Sequence, residues 1–238
     1  MLKDIGKLPL IKKTIQRGVS LVGFIYNHSS SLSLLRQFTN KRELVRHAVI
    51  RFATSYLLLQ RLYQEKGKLR KMFTSDEWSN NKLSKEAKRK EATKIVLMPS
   101  FWNHVVFTLK VMAPLVHVLR LVDGERKAAM GYIYEAMEKV KETIMKSFNN
   151  KESKYSDIFT IIDNKWTCQL YRPLHAASHF LNPEFYYSNP DMEFDIEITN
   201  GLYDCIRRLV PTKDASGLFG DDFAKESRKT TAPGETLF

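Results

Sequence analysis

Two imidazoles stand four residues apart at His175 and His179, a spacing that puts both on one helix face, where they could share a metal ion with Cys168 as a third ligand. Zinc hydrolases of the HExxH type also need a glutamate directly after the first histidine, and here Ala176 occupies that place. The competing reading is a pair of histidines that hydrogen-bond within a helical core. Asp157 with Asp163, and Asp221 with Asp222, are the acids whose spacing suggests acid–base or two-metal work; without supporting neighbours they read as solvated faces. Gly217-Leu-Phe-Gly220 is too short to cradle a phosphate. Cys168 and Cys205 are too few and too far apart for a disulfide framework, and read as small buried hydrophobes in a reducing compartment. No catalytic constellation emerges, and no cofactor is called for.

The charges say more. Residues 1–74 hold 15 Lys and Arg against three acids, Asp4, Glu43 and Glu65, whereas residues 75–238 hold 23 of each sign, so the formal net charge of +12 belongs to the first segment. Such a segment repels itself unless something acidic lies against it, and nucleic-acid phosphate is the commonest such partner. The candidate contacts are Lys12, Lys13, Arg17, Arg42, Arg46, Arg51, Arg61, Lys68, Arg70 and Lys71. Aromatic residues interleave with them at Phe24, Tyr26, Phe38, Phe52, Tyr56, Tyr63 and Phe73. Cations for phosphate and rings for bases are the combination used on exposed nucleic-acid strands, unless the rings are core. An internal partner is open too. No Lys or Arg occurs between Arg172 and Arg207, while Glu184, Asp191, Glu193, Asp195, Glu197 and Asp204 do.

The elements that must position these groups are helical. Over residues 8–28, Leu8, Ile11, Ile15, Val19, Val22 and Ile25 recur at intervals of three and four with Lys12, Lys13 and Arg17 between them, which predicts an amphipathic helix with a cationic face. Ser29 to Ser31 should break it before a short helix at 32–38. Thr39 and Asn40 offer a cap for another helix from about Lys41, carrying Arg42, Arg46 and Arg51. Residues 52–73 read as one long or kinked helix interrupted at Gly67. Residues 99–122 form a strongly apolar helix with a kink at Pro114. Helices at 130–148, 155–166, 170–181, 194–209 and weakly 219–228 follow, with a disordered tail at 230–238.

The expected organisation is a basic helical segment (1–74), a polar connection (75–98), a helical domain (99–229) and the tail. With 43% hydrophobic residues the chain can bury a core. No apolar run of about 20 residues suggests a membrane span, and the N-terminus lacks the apolar core of a signal peptide, so a soluble, intracellular protein is expected.

Several blocks resemble one family in its order. They are Leu2-Lys-Asp-Ile-Gly-Lys7, Phe24-Ile-Tyr-Asn-His28, Arg51-Phe-Ala-Thr-Ser-Tyr-Leu-Leu-Leu-Gln60, the stretch from Pro114 to Gly124 with Met130 to Met137, and Arg172-Pro-Leu-His-Ala-Ala177 with Phe180-Leu-Asn-Pro183. Together, to about Ala224, they resemble plant hAT-type transposases and the domesticated proteins derived from them. The resemblance implies the multi-helix insertion domain of a ribonuclease-H-like transposase, a mainly α region largely or wholly without the catalytic β-sheet core. It places Met1 after the family's second catalytic aspartate and the tail before its glutamate, so none of the three DDE-type acids is carried over and no enzyme is expected. The family's Arg-Trp pair near the transposon end is matched by Arg51 and Phe52, where phenylalanine keeps a stacking face but loses the indole donor. The implied protein is nuclear, without catalysis or metal, contacting DNA backbone through its basic third. Self-association, or pairing with full-length transposase relatives, is the implied protein contact. A protein-interaction or dimerisation module without DNA binding, built on the apolar 101–122 helix, is the alternative.

Overall fold

A computed structural model describes residues 1–45, 52–80, 87–123, 129–166 and 173–209. Among them the chain is mainly α, with no strand. It divides into two compact units, the first comprising Met1–Gly124 and Met137–Cys168, the second Glu125–Ala136 and Gln169–Phe238.

The first unit opens with α1 (Leu2–Ile5) and α2 (Pro9–Asn27), which starts on a proline whose fixed φ suits the first helical turn. The break after α2 falls at His28, whose extended backbone (φ −121°, ψ 110°) separates it from α3 (Ser29–Phe38). The three serines therefore begin a helix instead of interrupting one. The helix expected from Lys41 does not begin there. Thr39 ends α3, its hydroxyl donating to the Leu35 carbonyl, and Asn40 and Lys41 adopt left-handed φ values of 54° and 61°. Such a pair terminates a helix; it does not start one.

Helices α4 (Phe52–Gln64) and α5 (Lys66–Phe73) meet at Glu65, two residues before the glycine expected to divide them. Gly18 lets α2 approach α4 closely, since a Cβ there would stand 3.0 Å from methyls of Leu58 and Leu59. Among residues 75–98 the described ones, 75–80 and 87–98, are not a free connection. They contribute α6 (Asp76–Ser79), capped by the Ser75 hydroxyl, and α7 (Ala87–Leu97), and bury Trp78, Ala92, Ile95 and Val96 in the same core as Leu21, Ile25, Leu59, Leu69 and Phe101. The stretch reads as polar because α6 and α7 each offer the core one narrow face, and the remaining positions are solvated.

Helix α8 (Pro99–Val122) runs unbroken through Pro114. Its length and an 18-residue stretch of mean hydropathy 1.8 would let it cross a membrane, contrary to the expectation above; 39% of that stretch is buried inside the protein, and Phe101, Trp102, Val105, Met112 and Val116 of the helix are core residues of this unit. The Trp102 indole donates to the Val96 carbonyl at 2.7 Å, fixing the turn between α7 and α8. The unit ends with the later part of α9 (Ala129–Ser147) and α10 (Ser156–Lys165).

The second unit holds the first turns of α9, then α11 (Pro173–Phe180), α12 (Pro183–Tyr186) and α13 (Ile196–Leu209). Small residues, Ala176 and Ala177 on α11 and Gly201 on α13, are buried where these helices pack, which permits close approach. Asp195 caps α13, its Oδ1 accepting from the backbone N–H groups of Glu197 and Ile198 at 2.9 and 3.2 Å.

Candidate nucleic-acid interface

On α2 the apolar positions Ile11, Gly18, Leu21, Val22 and Ile25 face the core, which turns Lys12 and Lys13 to solvent. Arg17 is half-buried and its guanidinium Nη1 lies 4.0 Å from the Met98 sulfur, so part of its head group is turned to the protein. A second group gathers around Glu65. This carboxylate is 2% exposed, with Lys68 Nζ at 3.0 Å from Oε2 and Arg42 Nη1 at 4.0 Å from Oε1. The two cations thus share one carboxylate, with the Arg42 side chain still 69% exposed, and Arg61 stands one turn before the same glutamate on α4. Arg70 and Lys71 are exposed on the last turn of α5, where they favour the negative end of the helix dipole. Arg46 and Arg51 lie outside the described residues, and of Phe52 only its place at the start of α4 is described.

The aromatic residues separate from the cations. Phe24, Tyr56 and Phe73 are buried, Tyr26 and Phe38 are half-buried, and Tyr63 alone among the described rings of that set is exposed. Tyr26 donates its hydroxyl to the Leu44 carbonyl at 2.9 Å. Phe24 and Phe73 both pack on Trp78. Base stacking by the expected set therefore reduces to Tyr63, over which Lys66 sits at 5.8 Å.

Exposed cations also occur where none was expected to act. Lys88, Lys90 and Lys94 on α7 are exposed, and α7 packs beside α2. The periodic Ala92, Ile95 and Val96 at the end of the basic run were the signal that this stretch is a helix with one buried face. Its remaining cation, Arg89, is buried with its guanidinium 4.1 Å from the centre of the Trp78 ring, and desolvation pushes its pKa below the ordinary value. With the units as boundaries, the first holds 29 Lys and Arg against 13 Asp and Glu, the second 9 against 13.

The histidine motif lies in the second unit. His179 is buried, with Nδ1 3.3 Å from the Gly131 carbonyl oxygen and Nε2 3.9 Å from Glu135, between the rings of Tyr134 and Phe185. His175 is half-buried on the same helix, and Cys168 lies outside the described residues. Among the described residues no three His, Cys, Asp or Glu side chains gather as a metal site. Asp163 pairs with Lys141, while Asp157 is exposed on another face of α10. Asp221, Asp222 and the Gly217 to Gly220 stretch are outside the described residues. The acidic stretch has partners within its own unit. Glu184 accepts from the Tyr132 hydroxyl, Glu193 accepts from Tyr186 and raises that phenol's pKa, and Asp204 lies 3.5 Å from Arg207.

These features define a mainly helical protein with one strongly basic unit. Comparisons with models of protein families, with curated proteins and with solved structures find no match to the chain.

Proposed function

We propose that this chain is a non-catalytic, DNA-associated helical module, derived from the insertion region of a hAT-type transposase and working in the nucleus. It holds nucleic-acid backbone through cations of its basic unit, Lys12, Lys13, Arg70 and Lys71 foremost. The observation that carries the reading is the concentration of charge, 29 cations against 13 acids in one unit, with these four side chains exposed. The family blocks are the ground for the transposase origin. The test is fluorescence anisotropy with duplex, hairpin and single-stranded DNA between 50 and 200 mM salt, concentrations over which phosphate contacts lose affinity steeply. A linear fall of log K with log salt is expected; no binding to any of the three at low salt overturns the reading.

A second reading, a protein-interaction or dimerisation module, is favoured by the second unit, where Tyr187, Phe194 and Ile196 are 82, 79 and 74% exposed. On α8, where that reading first stood, Leu119 and Val122 are 40 and 42% exposed. Light scattering that shows a clean monomer, with no binding of a hydrophobic dye, counts against it.

A further inference from the structure

Helices α2 and α7 run antiparallel, since Ser20 to Asn27 line a cavity with Lys88 to Ala92 while Arg17, a turn earlier, reaches Met98. The cavity between them measures about 320 Å³, at the small end of the range of ligand sites. Gly23 is one of its lining residues. On the same helix a Cβ at Gly18 would press on Leu58 and Leu59, but one at Gly23 would meet nothing within 4 Å. A glycine in a helix interior is unfavourable relative to alanine, and packing gives no return for this one. Gly67 is equally open, but it stands in the first turn of α5. What the absent side chain at Gly23 does is keep the cavity open.

The walls describe the occupant. Ser20 and Asn27 lie one turn before and after Gly23, and Lys88 and Glu91 lie one turn apart on the facing helix. Leu21 and Phe24 supply an apolar floor. A hydroxyl, a carboxamide, an ammonium, a carboxylate and the His28 imidazole around an apolar floor suit a planar group that donates and accepts hydrogen bonds and is tied to an anion. A nucleotide has this chemistry. Its base edge offers N–H donors to Glu91 and complementary groups to Asn27, and its phosphate meets Lys88.

We propose that the groove between α2 and α7 holds one nucleotide of a single strand, with exposed Lys13, Lys90 and Lys94 of the same two helices along the flanking phosphates. The proposal rests on the DNA-associated reading above and is tested separately from it. Gly23→Leu fills the groove with a good helix former where space is open, so the full chain should melt no lower than the wild type. It should bind an oligothymidine or oligocytidine roughly tenfold more weakly, the loss of one base's hydrogen bonds in the groove, while binding duplex DNA unchanged. Glu91→Ala separates base from backbone: affinity for the single strand falls if the carboxylate reads a base edge, and rises if it merely faces phosphate. Unchanged single-strand affinity in Gly23→Leu, an equal loss on duplex, or tighter binding by Glu91→Ala overturns the groove assignment and leaves general DNA binding standing. A wild-type chain that binds no DNA removes both.

Discussion

Gly131 on α9 and Ser178 on α11 approach so closely that a Cβ on the glycine would stand 2.8 Å from the serine's carbonyl oxygen. The obstacle is backbone, which cannot swing aside as a side chain would. The same approach brings the Gly131 carbonyl oxygen to His179. Gly131→Ala should therefore destabilise the second unit by about 1–3 kcal/mol, as overpacking does. Urea unfolding followed by near-ultraviolet dichroism checks it; a midpoint equal to the wild type's would show that the two helices separate at little cost.

Trp78 tests the standing of residues 75–98. Its ring packs on Phe24 and Phe73, carries Arg89 on its face and donates from Nε1 to Thr93 Oγ1 at 3.2 Å. A tryptophan in a connection would be dispensable, whereas Trp78→Ala in this core should cost about 3–5 kcal/mol. Thermal unfolding of the variant distinguishes the two, and an unchanged melting temperature would return the stretch to the role of a linker.

Among the cations, Lys12 and Lys13 are exposed on α2, while Lys68 and the largely exposed Arg42 stand beside Glu65. Replacing Lys12 and Lys13 together by alanine should lower the slope of log K against log salt by about 2, one per lost contact, with little change in melting. Lys68→Ala should change the slope less and the stability more, because it leaves the buried Glu65 carboxylate without its nearest cation. Equal effects on slope from the two variants would mean that Glu65 does not hold Lys68 back.

Cys205 is buried on α13, and desolvation raises its thiol pKa above the ordinary 9.0, with Asp204 adding to the rise and Arg208 opposing it. The folded thiol should react slowly with iodoacetamide at neutral pH and quickly in urea, read at the Cys205 peptide by mass spectrometry. Because the folded pKa is the higher one, the associated stability is present below pH 9.0 and lost as pH rises through the folded value. Fast alkylation of the native protein at pH 7 would contradict the burial.

The long periodic helices were legible in the sequence. Residues 8–28, 130–148 and 194–209 correspond to α2, α9 and α13 within two residues at each end, because each buries one continuous stripe. Short helices escaped where the buried face is two or three residues wide, as on α6 and α7, and where a cap residue serves either end of a helix, as Thr39 does. The candidate cations were legible as a charge excess, and the Glu65–Lys68 spacing of three was legible as a local pair, but the approach of Arg42 to the same carboxylate was not, since it bridges residues 46–51. The aromatic residues misled for a related reason: ring and cation alternate in sequence because they occupy opposite faces of the same helices.

The two units are interleaved along the chain: it leaves the first at Gly124, returns at Met137 and leaves again after Cys168. Neither unit can be obtained by a single cut. A fragment ending before residue 125 lacks α10 and the later turns of α9, and one beginning at 169 lacks Gly131, against which Ser178 and His179 pack. Any insertion or deletion within α9 therefore bears on both units at once.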